Sequence, residues 1–207
     1  MLDKIFDPKK IDKKNYEIEE KLGIFNSDIS SSKESFCIMM PPPNVTGVLH
    51  MGHALNFTLQ DVIVRYKRLN NFNVLWQPGT DHAGIATQIV VEKELNKNNQ
   101  NRHDLGKENF IKKIWEWKSK SGNQIISQMR QLGVSADWTR EKFTMDDELT
   151  KTVRKVFIDL FEKKMIFKEK RLINWDIKLQ TAVSDLEVEN KNVNGFLYFI
   201  KYPLKKN

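Results

Sequence analysis

Two histidines three residues apart, His50 and His53, follow the loop Pro43-Asn44-Val45-Thr46-Gly47-Val48-Leu49 and stand where a helical pattern begins. A loop that runs from a strand into a helix N-terminus presents unpaired backbone N–H groups and the positive end of the helix dipole, so its natural occupant is an anion, phosphate above all. Both imidazoles would project to the same side of the first turn and can donate hydrogen bonds to a polyphosphate, while Gly52 lets a flat base approach the backbone. The same pair is compatible with a structural role or with half of a metal site. The metal reading lacks a third ligand, because His103 is remote and Cys37 is the single cysteine. A second turn, Gly79-Thr80-Asp81-His82-Ala83-Gly84, places a carboxylate after another short apolar run. An aspartate there either caps the following helix or binds a ligand, and the two roles can coexist. Pro41 and Pro42 offer rigid apolar surface beside the same loop, fit to wall a pocket or to stiffen the exit from a strand.

These residues need a scaffold, and the apolar pattern supplies one. Phe36–Met40 reads as a fully buried strand, with Cys37 as a small core hydrophobe. From Ala54 onward Leu55, Leu59, Val62, Ile63 and Tyr66 recur at steps of three and four, predicting a helix whose stripe faces a core while Asp61, Arg65 and Lys67 face outward. Asn70-Asn71 breaks it, Asn73–Gln77 is a second short strand, and the Asp81 turn leads into another helix through Val91 and Leu95. Two strand–loop–helix units in succession predict parallel strands joined by right-handed crossovers. The fold class is therefore α/β, a doubly wound parallel sheet with ligands outside the carboxyl ends of its strands, where both loops fall. Downstream, Leu105–Leu132 contains helical stretches carrying Phe110, Ile114, Ile125 and Met129, with Gly133 placed to stop the last. Asp146-Asp147-Glu148 opens a helix with the stripe Leu149, Val153, Val156, Phe157 and Leu160. Met165–Trp175 and Gly195–Leu204 read as strands of a different layer.

The bulk composition is that of a globular protein: of 207 residues, 40% are hydrophobic and 29% charged. Lys and Arg number 34 against 27 Asp and Glu, a balance of +7 that permits an anionic partner and equally fits a lysine-rich solvated surface. One cysteine excludes an internal disulfide and a Cys-based zinc site. No apolar stretch has the length of a bilayer span and the N-terminus lacks a secretory h-region, so the expected location is the cytoplasm. Residues 1–35 read as a peripheral arm with little chemistry.

The full strings add a resemblance. His50-Met51-Gly52-His53 resembles the "HIGH" signature of class I aminoacyl-tRNA synthetases, and MPPPNVTGVLHMGHALNFTLQD, RYKRLNNFNVLWQPGTDHAGIATQIVVE and NWDIKLQTAVSDLEVE together are similar to the valine-specific members of that class. The resemblance covers nearly everything from Phe36 onward. It implies activation of valine by ATP with Mg2+, giving valyl-adenylate and pyrophosphate, followed by transfer to tRNA(Val) by an enzyme that is a monomer at full length. It implies catalytic roles for His50 and His53, ATP binding by Asn44, Thr46 and Gly52, and an amino-acid pocket formed by Pro41, Pro42 and Asp81, with Asp81 taking the ammonium group. The implied division is an arm over 1–35, the first half of a Rossmann-like catalytic domain over 36–189, and the start of a β-rich inserted editing domain over 190–207. A hydrophobic pocket rejects the isostere threonine poorly, the valine enzyme being itself the standard illustration, and editing in the inserted domain is the family's answer.

The chain departs from the family's pattern in two ways. The second ATP signature, Lys-Met-Ser-Lys-Ser, is absent, which leads us to expect a fragment that is not fully active alone. Asn174-Trp175 is followed by Asp176-Ile177-Lys178 where some members have paired cysteines, so no protein-bound zinc is expected. Two other readings stay open at this level: a related nucleotidylyltransferase, which shares the histidine signature but has no need of the Asp81 block, and a non-catalytic tRNA-binding paralogue.

Overall fold

The computed structural model describes residues 8–204. The first seven residues of the expected arm and the last three of the expected editing segment lie outside the described residues. The chain divides into two compact units, one ending at Phe157 and one beginning at Ile158.

The first unit is organised by a parallel pair of strands. β1 (Ser35–Met39) runs beside β2 (Asn73–Gln77), with Phe36 opposite Val74 and Ile38 opposite Trp76, and α2 (Met51–Leu69) connects them. Parallel strands need such a crossover because no tight turn can return the chain in the same direction. On one face of the pair, Val74 and Trp76 pack with Phe57 and Val64 of α2 and with Ile125, Ile126 and Met129 of α4 (Arg102–Gln131). Trp76 is fully buried, and its indole N–H donates to Gln60 Oε1 at 3.0 Å, so the largest core side chain leaves no unpaired donor. Burial of each such side chain contributes about 1.5–3 kcal/mol.

Two sequence expectations are corrected here. β1 is not fully buried: Cys37 is exposed and Met39 is 69% exposed, because helices cover only one face of the two-stranded ribbon and alternate residues point to the other. α2 is turned about its axis relative to the predicted stripe. Phe57 and Val64 face the core, whereas Leu55, Leu59, Val62, Ile63 and Tyr66 are exposed. Asp61, expected to face outward, accepts the Ser135 backbone N–H at 2.9 Å, and Arg65 donates to the Gly133 carbonyl at 2.8 Å. The helix is apolar on two opposite faces, and periodicity alone does not say which one the core takes.

The remaining elements of this unit bring the second turn into place. β3 (Gly79–Thr80) pairs in parallel with β4 (Lys142–Phe143). A Cβ on Gly79 would stand 2.8 Å from the Lys142 carbonyl oxygen, so the close backbone approach requires glycine. α3 (Ile85–Lys97) packs Val91 and Leu95 against Phe110 of α4, forming a second small core. Gly106, with a positive φ, interrupts α4 near its start, and Gly133, also with a positive φ, follows its end. α1 (Pro8–Lys21) makes the arm an integral part of the unit: the Tyr16 hydroxyl donates to the Val134 carbonyl at 2.7 Å and accepts from the Trp138 indole, and Arg130 pairs with Glu20 at 2.8 Å. Among the described residues the strands form separate two-stranded sheets rather than one continuous sheet.

The boundary between the units falls within α5 (Asp147–Glu162), which buries none of its residues, its predicted stripe included. In the second unit β5 (Asn174–Asp176) and β6 (Thr181–Val183) form an antiparallel hairpin with Trp175 opposite Ala182. The longer strands expected over 165–175 and 195–204 are not formed: only 174–176 is extended into a ladder, and 188–204 carries no helix or strand. Aromatic and branched residues favour a strand only when a neighbouring backbone completes its hydrogen bonds.

Candidate functional site

The two loops singled out by residue type meet through their backbones. The Val45 N–H donates to the Asp81 carbonyl at 2.9 Å and the Asp81 N–H donates to the Pro43 carbonyl at 2.9 Å, a parallel bridge between Asn44 and Asp81. Each loop leaves the carboxyl end of its strand, β1 or β3, so the bridge continues the parallel direction of the strands and fixes the spacing of the loops. Pro43 and Val45 are buried under this junction, while Pro41, Pro42 and Asn44 are exposed beside it and Thr46 is half-buried. The structure thereby gathers Pro41, Pro42, Asn44, Thr46 and Asp81 around one junction, with His50 at the end of the same loop and Gly52 and His53 in the first turn of α2.

His50, expected near the start of a helical turn, is the N-cap of α2, and the two histidines cap the helix reciprocally. His50 Nδ1 accepts the Gly52 N–H at 3.1 Å and His53 Nδ1 accepts the His50 N–H at 3.2 Å. With Nδ1 accepting in both rings, the neutral tautomer carries its proton on Nε2, so each ring keeps an N–H donor for an incoming ligand. The ring centroids are 4.0 Å apart. Burial, and then the neighbouring His50, hold the His53 imidazolium below the ordinary histidine range, so the ring is a neutral donor at neutral pH. Gly52 has a steric reason beyond access for a base: a Cβ there would lie 2.9 Å from His50 Cε1.

Asp81 does not cap α3, whose N-cap is Gly84 without a side-chain bond. Its Oδ1 instead accepts the Ala83 N–H at 2.9 Å, closing a turn in which Ala83 and Gly84 both have positive φ. Thr144, one residue past β4, reaches the same oxygen at 3.4 Å and accepts the His82 N–H at 3.0 Å, with His82 Nδ1 2.7 Å away. Among the described residues no hydrogen bond engages Asp81 Oδ2, so one carboxylate oxygen is held and the other is available. Thr144 and His82 are the participants that residue spacing did not reveal. His82 stood inside the quoted turn, but the contribution of Thr144 depends on the β3–β4 pairing, for which two-residue strands leave no periodic signal. The open groove between α1 and α4, lined by Tyr16, Glu20, Asp61 and Arg130 among others, contains none of these residues. Among the described residues no group of three or more His, Cys, Asp or Glu is arranged to hold a metal, and no helix is long and apolar enough to cross a membrane.

The arrangement is chemically bipartite. Imidazole N–H donors and a helix N-terminus suit a polyphosphate, and a fixed carboxylate with one free oxygen suits an ammonium group.

Known proteins are similar to this chain in sequence and in fold. The family model described as tRNA synthetases class I (I, L, M and V) matches residues 14–202. The chain is 55% identical over 207 residues to the valine–tRNA ligase of Neisseria meningitidis serogroup B, covering 100% of this chain and 22% of that protein. It is 54% identical over 200 residues to the valine–tRNA ligase of Bdellovibrio bacteriovorus, covering 97% of this chain and 22% of that protein. The chain thus spans about a fifth of the length of the curated relatives it matches. A solved structure, the ternary complex of the Agrobacterium radiobacter K84 agnB2 LeuRS with tRNA and LeuAMS, superposes with a TM-score of 0.72 at 22% identity, over 86% of this chain and 21% of that one. That likeness establishes a shared fold.

Proposed function

The chain belongs to the class I tRNA synthetases of the isoleucine, leucine, methionine and valine group, and on that footing we propose that it supplies the valine pocket and the histidine half of the ATP site of a valine–tRNA ligase. The backbone bridge between Asn44 and Asp81 carries this reading, because it sets an anion-binding loop beside a half-free carboxylate. ATP enters as its magnesium complex. His50 and His53 donate from Nε2 to the phosphate oxygens at the α2 N-terminus, and Asn44, Thr46 and Gly52 line the approach. Asp81 receives the valine ammonium on Oδ2, and Pro41 and Pro42 wall the side-chain pocket.

The valine carboxylate oxygen then attacks the α-phosphorus and pyrophosphate leaves, giving valyl-adenylate; a hydroxyl of the terminal ribose of tRNA(Val) then attacks the adenylate's carbonyl carbon, forming the ester to valine as AMP leaves. Such chemistry asks the protein for positioning and charge stabilisation rather than a covalent nucleophile. The doubly wound sheet, the start of an editing domain near residue 190, a cytoplasmic location and a monomeric full-length enzyme complete the reading. The parallel pairs β1–β2 and β3–β4 support the first of these, and the valine–tRNA ligase relatives support the partners valine, ATP and tRNA(Val).

Valine-dependent ATP–pyrophosphate exchange tests the proposal. The intact gene product is expected to exchange with valine, and the 207-residue chain to exchange weakly or not at all. Exchange by the intact protein that ignores valine would refute the specificity. Robust turnover by the chain alone would show that the second ATP signature is dispensable.

A further inference from the structure

The loop that carries Asn44, Thr46 and His50 is held from across the core by one face of α4. The Trp117 indole N–H donates to the Val45 carbonyl at 2.7 Å, the Ser121 hydroxyl donates to the Gly47 carbonyl at 3.1 Å, and Gln128 Oε1 accepts the Leu49 N–H at 3.0 Å. Positions 117, 121 and 128 lie within about 40° of one another around the helix. They tie the loop at residues 45, 47 and 49, and the site residues Asn44, Thr46 and His50 are those between and beside the ties. Val45 is 1% exposed and Ser121 3% exposed, so these bonds are made largely away from water. Gly122 is buried beside Ser121, and a Cβ there would stand 3.9 Å from Val45 Cγ1, so the helix approaches the loop closely at this point.

We infer that Trp117, Ser121 and Gln128 are positioning residues for the nucleotide, setting the path of residues 45–49 and hence the place where His50 and His53 meet the phosphates. The inference rests on the reading of this loop as the ATP site. All three contacts go to backbone groups of the loop, so they act through its path. The nearest apolar core positions of α4, Ile125 and Met129, are separate side chains, so a polar head can be removed from the face while core packing remains.

Four variants of the intact gene product test this: Trp117→Phe and Gln128→Met, which keep bulk and remove one bond each, Ser121→Ala, and Ser121→Thr, which restores the hydroxyl. In valine-dependent exchange each bond-removing variant is expected to raise KM for ATP about tenfold, the effect of one buried hydrogen bond left unmade. KM for valine should move less than about twofold and the melting temperature less than about 3 °C; Ser121→Thr should return KM for ATP to the parent value. In the ligand-free 207-residue chain, amide exchange over residues 45–49 should quicken about tenfold in Gln128→Met. Unchanged ATP KM together with faster amide exchange would reduce the face to a structural tie and overturn the inference, as would unchanged exchange rates. If the parent protein shows no valine-dependent exchange, the functional proposal fails separately. Direct ATP titration then judges the three residues, an unchanged Kd counting against them.

Discussion

Replacing Asp81 by asparagine separates its two oxygens. Oδ1 accepts the Ala83 N–H at 2.9 Å and lies 3.4 Å from Thr144, and an asparagine carbonyl can take over both contacts. Only Oδ2 is lost, exchanged for an amide that presents hydrogens where an ammonium group would sit. A hydrogen bond to a charged group contributes about 1.5–3 kcal/mol, which at about 1.4 kcal/mol per decade corresponds to roughly a 10–150-fold loss of affinity. The Asp81 side chain is 36% exposed, so solvent screening points to the lower end, about 10–30-fold. In the intact gene product, Asp81→Asn should therefore raise KM for valine by that factor in ATP–pyrophosphate exchange and leave KM for ATP within about twofold. Its unfolding free energy should change by less than about 0.5 kcal/mol, whereas Asp81→Ala, which also opens the turn, should abolish valine binding and lose a further ~1 kcal/mol of stability. An asparagine variant with parental valine affinity would refute the ammonium role. One that fails equally in valine and ATP would show that Asp81 acts only by holding the two loops together.

Two further predictions concern the scaffold. Gly79→Ala puts a Cβ 2.8 Å from the Lys142 carbonyl oxygen and should destabilise the chain by about 1–3 kcal/mol, read as a lower urea midpoint at constant m-value. Burial raises the Tyr16 hydroxyl from 10.0 to about 12. Because the folded value lies above the unfolded one, its contribution is fully present below pH 10 and is lost as pH rises toward about 12. Denaturation midpoints followed across that window should fall steeply in the parent and more shallowly in Tyr16→Phe.

Much of the site was legible in the sequence because its chemistry is local. A proline-rich loop, a helix start and two histidines three apart mark a candidate anion cradle within a few residues, and the structure makes His50 the N-cap of the helix that follows. The strand–loop–helix order likewise yielded the parallel β1–β2 pair, since a short apolar run, a breaker and a helical period follow one another in adjacent residues. The misreadings have a common cause. The inward stripe of α2, the burial of Cys37 and the strands after residue 188 all depend on which partner covers a surface, and an apolar residue has the same local pattern whether or not it finds a partner.

What the sequence determined by itself was therefore the inventory: which residues can donate to phosphate, which carboxylate can take a cation, and which family shares the strings around them. Tertiary structure decided how those groups are held. It joined Asn44 to Asp81 through a backbone bridge, brought Thr144 onto Asp81 through two-residue strands, and set one face of α4 against the loop before His50. Each of those contacts joins residues tens of positions apart, and a hydrogen bond across such a separation is specified by packing of the elements between, which no local period encodes.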